Sequence, residues 1–220
     1  MYAAYHREAL QLLGIGAARC IPATRYQHIE ARSVILTSGP RGTITPDICY
    51  FLCQGLLPAA LSQTKSSGCK RLYITRRKAR WRKVTNEKKL DLFLQSHGFQ
   101  SVALEDYGLA EQIRMFHEAE YIVGPHGAGL TNLVFCKPGT RVLEISSPRR
   151  PGRMFHNISS CRRLRYLNFF AEQDGRAAYR GQDSNIKVDL EQLDECLSLL
   201  EGAELLDLPV ALNPRAAISE

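Results

Sequence analysis

From Arg71 onward the chain alternates short apolar runs with amphipathic stretches, and that alternation limits the folds open to it more than any other feature. Arg71-Leu72-Tyr73-Ile74-Thr75, Ser101-Val102-Ala103-Leu104, Tyr121-Ile122-Val123, Arg141-Val142-Leu143-Glu144-Ile145 and Tyr166-Leu167-Asn168-Phe169 predict strands. Helical periodicity is expected over residues 86–97, closed by Gly98, then over 110–119, from near Met154, and over 190–200. Near-continuous apolar strands separated by amphipathic helices predict an α/β fold, a Rossmann-like parallel sheet with helices on both faces. Such sheets bind ligands in the crevice at the carboxyl ends of their strands, where helix N-termini point N–H groups at anions.

Ahead of this region, Ser62-Gln63-Thr64-Lys65-Ser66-Ser67-Gly68 is small and polar and marks a boundary. Residues 67–205 are expected to form the Rossmann-like domain and 206–220 a tail. Residues 1–66 contain a helix over 5–13 stopped by Gly14, a strand over 33–37 entering the turn Gly39-Pro40-Arg41-Gly42, and a helix over 50–61. One strand and two helices make a poor domain alone, so this segment should lean on something else.

No apolar run approaches the roughly 20 residues of a membrane-spanning helix, and the first residues lack the layout of a signal peptide. A cytoplasmic protein is the expectation. The seven cysteines are scattered and odd in number, as buried free thiols would be, and indicate neither a zinc site nor a disulfide framework. The formal charge of +7 favours anionic partners: nucleotide phosphates, acidic glycans, nucleic acid or a membrane surface.

The stretch richest in chemistry is Tyr121-Ile122-Val123-Gly124-Pro125-His126-Gly127-Ala128-Gly129-Leu130-Thr131-Asn132, a strand, a small-residue turn and a helix. Gly127 and Gly129 remove the Cβ atoms that would keep a phosphate or sugar off the backbone, and the helix start offers N–H groups. A plain tight turn explains the glycines but not the histidine beside them. Arg76 and Arg77 follow the first strand, so at least one guanidinium should face the crevice and pair with a diphosphate, although the whole run 76–83 also reads as a solvated basic loop. Trp81 suits either a base stack or a helix cover. Asn86 and Glu87 suit a helix N-terminus. Glu144, alternating with apolar neighbours, should accept bonds from something such as ribose hydroxyls. The arginines Arg149, Arg150, Arg153, Arg162, Arg163 and Arg165 read by default as solvated surface.

Gly-Pro-His-Gly-Ala-Gly-Leu-Thr-Asn at 124–132, preceded by Tyr73-Ile74-Thr75-Arg76-Arg77 and Asn86-Glu87 and joined by Glu105, Glu111-Gln112 and Val142-Leu143-Glu144-Ile145, resembles the C-terminal region of family 61 glycosyltransferases. The likeness runs in order from about Lys70 to Pro148 and more weakly to about Leu200. It implies the donor-binding half of a GT-B enzyme, with a shortened N-terminal domain in residues 1–66. It also implies transfer of a sugar, with inversion, from a nucleotide diphosphate sugar, by analogy UDP-linked, to an acceptor hydroxyl in polysaccharide synthesis.

Donor binding falls by this likeness on Arg76, Arg77, Asn86, Glu87, Glu105, His126, Gly127, Ala128, Gly129, Leu130, Thr131, Asn132 and Glu144. No metal and no other cofactor is expected, since the chain also lacks an Asp-x-Asp motif. His126 and Arg76 are expected to be catalytic, and the candidates for the base are Asp47 or His28 from the N-terminal side, or His126 itself. The implied acceptor is a glycan or lipid-linked saccharide, met by a protein that sits at the inner face of the membrane. The competing readings are a catalytically incomplete nucleotide-sugar-binding module and, on charge alone, a nucleic-acid binder, against which the basic residues are not interleaved with aromatics.

Overall fold

The computed structural model describes residues 4–21, 28, 30–35, 44–79, 82–148, 153–174 and 185–202. Helix α1, Ala4–Leu12, ends ahead of Gly14, whose φ of 72° lies in the left-handed region that favours glycine. Helix α2, Pro46–Gln63, starts with proline in its first turn and Thr45 as N-cap, the Thr45 hydroxyl accepting the Ile48 N–H at 3.3 Å. The strand expected at 33–37 does not form over Ser33–Ile35, where Val34 and Ile35 are exposed and unpaired with any sheet; β-branched residues make a strand only where a neighbour and a core receive them. Its last two residues and the turn at Gly39-Pro40-Arg41-Gly42 lie outside the described residues, as do Arg80, Trp81, Arg149, Arg150 and the 206–220 tail.

The alternating region follows as expected: β1 Arg71–Ile74, α3 Glu87–Ser96, β2 Gln100–Val102, α4 Leu109–Glu118, β3 Tyr121–Pro125, β4 Arg141–Ser146, α5 Met154–Arg162 and β5 Arg165–Phe170. Two short strands that the sequence does not announce, β6 Glu172–Asp174 and β7 Asn185–Lys187, pair antiparallel before α6, Leu190–Gly202. The main sheet is parallel throughout, in the order β2-β1-β3-β4-β5.

Alternation along each strand divides the core in two. Leu72, Ile74, Ile122 and Val142 pack with α2, α4 and α5 on one face; Tyr73, Val123, Leu143 and Ile145 pack with α3 and α6 on the other. Leu90 and Leu94 of α3 are fully buried, each contributing about 1.5–3 kcal/mol relative to exposure.

The two N-terminal helices belong to the first of these cores. Cys49, Cys53, Leu56 and Ala60 of α2 and Leu12 of α1 share it with the strands, and Glu8 of α1 accepts the Leu109 N–H at the start of α4 at 2.5 Å. Arg114 of α4 ties down the end of α2, donating to the Leu61 carbonyl and to the Thr64 hydroxyl at 2.7 Å, and bridges to Glu118 at 2.8 Å. Among the described residues, 1–66 therefore adds helices to this sheet and brings no strand of its own. No helix among them is long and apolar enough to cross a membrane.

Candidate functional site

Strands β1 and β3 are neighbours, yet the chain leaves β1 toward β2 on one side and β3 toward β4 on the other. A crevice opens at such a switch point. There β3 ends in Pro125, the His126 N–H donates to the Ile145 carbonyl at 2.8 Å, and the chain turns through an extended Gly127 into a helix over Ala128–Phe135. The expected helix is of the 3₁₀ type. Leu130, Leu133 and Cys136, three residues apart, eclipse on one side and are all buried, a period of three that suits the tighter winding. Its first bond runs from the Leu130 N–H to the Gly127 carbonyl at 3.0 Å, so the N–H groups of Gly127, Ala128 and Gly129 precede the helical ladder at the mouth of the sheet.

A cavity of about 320 Å³ lies at this point, at the small end of the range for ligand pockets. Its walls come from Ile74, Thr75 and Arg76 after β1, Leu104 and Glu105 after β2, and Pro125 with 127–130 after β3. Tyr5 and Gln112 complete it, two residues the sequence did not assign to the site. The glycines lie at close approaches, and a side chain at either would push a neighbour aside: a Cβ on Gly127 would fall 2.1 Å from Arg76 Nη1, and one on Gly129 2.6 Å from Leu104 Cδ1. Burial, and then the nearby Arg82 guanidinium, lower the proton affinity of Arg76, while Glu105 works the other way. Arg82 was not singled out in the sequence. It takes a left-handed backbone, φ 59°, uncommon for a residue with a side chain, and its Nε is buried without a hydrogen-bond partner among the described residues.

The remaining expected donor-site residues divide clearly. Arg77 is exposed and lines a different groove with Arg71 and Asp91, so of the two arginines it is Arg76 that faces the crevice. Asn86 stands at the N-terminus of α3 but does not cap it; its amide donates to the Val188 carbonyl at 2.7 Å and accepts the Val188 N–H at 3.0 Å, fastening β7 and α6 to the domain. Glu87 accepts from the Tyr73 hydroxyl at 3.0 Å and from Thr75, whose oxygen in turn accepts the Arg77 N–H at 3.1 Å; the carboxylate thereby holds the β1 exit. Burial first, then Glu87, raises the Tyr73 phenol well above its ordinary range, keeping it a donor. Asn132 donates to Gln112 at 3.0 Å, Gln112 to the carbonyls of Leu104 and Tyr107, and Thr131 lies outside the cavity lining. Asp47 is exposed in the first turn of α2, and neither it nor exposed His28 lines the cavity. Arg162, expected as solvated surface, donates to the Cys136 carbonyl at 3.0 Å.

His126 sits between the cavity walls Pro125 and Gly127, but its ring turns away toward β4 and β5. Its Nδ1 is 2.5 Å from Glu144 Oε1, and the Phe155 ring meets it edge-on at 5.1 Å between centroids. Glu144 is fully buried, and its second oxygen accepts from the Tyr166 hydroxyl. Where ribose contacts are expected for Glu144, both its oxygens are engaged inside the protein and the residue is fully buried. Among the described residues no group of three or more His, Cys, Asp or Glu side chains could hold a metal.

The chain is a doubly wound α/β domain whose switch point carries a glycine turn, a helix start and Arg76, the place where such sheets open a ligand crevice. The glycosyltransferase 61 family model matches residues 13–143, more than half of the chain, and the chain belongs to that family. It is similar to the beta-1,2-xylosyltransferase RCN11 of Oryza sativa subsp. japonica, 48% identical over 60 residues, 26% of this chain and 11% of that protein. It is also similar to the EGF domain-specific O-linked N-acetylglucosamine transferase of Gallus gallus, 26% identical over 136 residues, 56% of this chain and 25% of that one. A third relative is the beta-1,2-xylosyltransferase of Arabidopsis thaliana, 35% identical over 63 residues, 29% of this chain and 12% of that protein. These matches span a quarter or less of each relative's length.

Proposed function

We propose that this chain binds a nucleotide diphosphate sugar, UDP-linked, at the mouth between β1 and β3, as the donor-binding half of a GT-B-type glycosyltransferase. The observation that carries this reading is the closeness of Arg76 to Gly127, where a Cβ would displace the guanidinium from its present place. Arg76 lines the small cavity and feels the like charge of Arg82, and a diphosphate held by Arg76 and the N–H groups of Gly127, Ala128 and Gly129 would relieve that repulsion. Those donors can also hold charge that grows on the leaving diphosphate, so the step needs no metal ion. The glycosyltransferase names of the relatives support sugar transfer as such; in this reading the sugar passes, with inversion, to a hydroxyl of a glycan or lipid-linked saccharide. The setting in this reading is polysaccharide synthesis at the cytoplasmic face of a membrane, which the +7 charge would favour.

A second reading, a donor-binding module that does not turn over unaided, is favoured by the packing of α1 and α2 against the same sheet. Neither Asp47 nor His28 stands in the cavity to act as a base.

The test is calorimetric titration with UDP in buffer free of divalent metal. The parent should bind with micromolar affinity, and Arg76→Ala, Arg82→Ala and His126→Ala should each weaken it about tenfold, about 1.4 kcal/mol. A folded parent that binds neither UDP nor other nucleoside diphosphates ends the donor-site reading. Binding without sugar transfer to any saccharide acceptor selects the module.

A further inference from the structure

On the β4 and β5 side of the glycine turn lies a chain of polar groups for which the arginine cavity has no use. Glu144 pairs in register with Gly124 of β3 and Asn168 of β5. Side chains alternate along strands, so His126, two residues beyond Gly124, and Tyr166, two before Asn168, come to the same face as Glu144 and reach it diagonally. A carboxylate with no exposure is tolerated only when donors satisfy it, and an ionised carboxylate can only accept. Tyr166 donates through its hydroxyl to Oε2, and an ionised carboxylate leaves His126 to donate through Nδ1 to Oε1. Burial first and Glu144 second push the Tyr166 phenol up, which keeps that hydroxyl protonated.

We infer that Glu144 and Tyr166 are positioning residues that hold His126 as the Nδ1–H tautomer, so that its Nε2, on the β4 and β5 side of the glycine turn, is left as a hydrogen-bond acceptor for a hydroxyl of the bound sugar nucleotide. The ring has only one edge left for this. Nδ1 is committed to a buried group and Phe155 packs against the ring, while the side chain keeps 30% of its surface exposed. Tyr166 fixes the carboxylate, the carboxylate fixes the imidazole, and the imidazole offers a lone pair rather than a proton. His126 then differs in kind from Arg76 across the turn: Arg76 meets phosphate charge, whereas His126 meets a hydroxyl. The tautomer is a property of the protein alone, whereas the identity of the ligand rests on the donor-site reading above.

The experiment is nitrogen-detected NMR of the histidine rings in the whole chain at about pH 8, above the ordinary imidazole range, followed by titration with UDP-xylose. In the parent, His126 should show a protonated Nδ1 and an unprotonated Nε2, and Glu144→Gln should move the ring toward the Nε2–H form. Tyr166→Phe, which removes only a hydroxyl, should shift the Nδ1 resonance while the protein stays folded, and it serves where Glu144→Gln does not fold. A parent ring carrying its proton on Nε2, or ring resonances that neither variant alters, overturns the relay. UDP-xylose affinity should fall about tenfold in Glu144→Gln; an unchanged affinity there removes the positioning role. If the parent binds no UDP-sugar, the donor-site reading fails, while the ring spectra still decide the tautomer.

Discussion

At the scale of single residues, the glycine turn is the part of the site that could be read most directly, because glycine beside a strand exit has few physical meanings. Gly127 stands where a side chain would collide with Arg76, and its extended φ suits any residue, so the constraint is space rather than backbone strain. Gly127→Ala should accordingly cost the fold about 1 kcal/mol or less while it displaces the flexible end of Arg76. The expected result is a melting temperature within a few degrees of the parent and UDP affinity lowered about tenfold. Equal affinity would mean that Arg76 does not hold the donor. Glu144 and Arg82 were harder to read. A carboxylate within an apolar strand shows that it needs partners but not which ones, because the register of β3 against β5 decides whether a histidine, a tyrosine or a ribose supplies them. Arg82 looked like one more cation in a basic loop, and only its left-handed backbone and its nearness to Arg76 set it apart.

At the scale of elements, the longer apolar runs and capped helices were legible, since burial on both faces leaves strands almost without polar residues. The β6 and β7 pair was not, because three-residue strands of mixed polarity exist only through their pairing with each other and with Val84. The junction of α2 and α4 yields a test of which groups hold elements together. Burial alone would raise the Glu118 carboxyl, but hydrogen bonds from Ser66 and Arg114 outweigh it and hold the carboxyl below the usual carboxylate value of 4.5. A carboxyl depressed in the folded state stabilises above its unfolded pKa and loses that contribution as pH falls through the folded value. Stability to urea should therefore decline as pH drops below about 4.5, and Glu118→Gln should flatten that decline. Arg114→Ala, which strips α2 of its two contacts near Thr64, should cost about 2–3 kcal/mol near neutral pH, read as a shift in the urea midpoint with little change in slope.

At the scale of the whole molecule, the alternation established a parallel α/β sheet, whereas the strand order, and with it the position of the crevice between β1 and β3, required the three-dimensional arrangement. The boundary at Ser62–Gly68 was visible as composition, yet the helices before it sit in the same core as the strands after it. Heat or urea should therefore unfold α2 and the sheet in one transition, with far-ultraviolet and tyrosine signals coincident. Ala60→Leu, forced into a fully buried site of that shared core, should move both signals together by about 1–3 kcal/mol. Two separated transitions would show α1 and α2 to be an independent unit.

The eight residues Ala128–Phe135 also set a length. A 3₁₀ helix advances about 2.0 Å per residue and an α-helix about 1.5 Å, so over this span the two windings differ by about 4 Å in reach. Anchored at its far end by Leu133, Val134 and Phe135 in the core, the tighter winding acts as a spacer that carries the glycine turn forward to Arg76. Rewound as an α-helix from the same anchor, it would bring the glycine turn about one residue's length closer to that anchor.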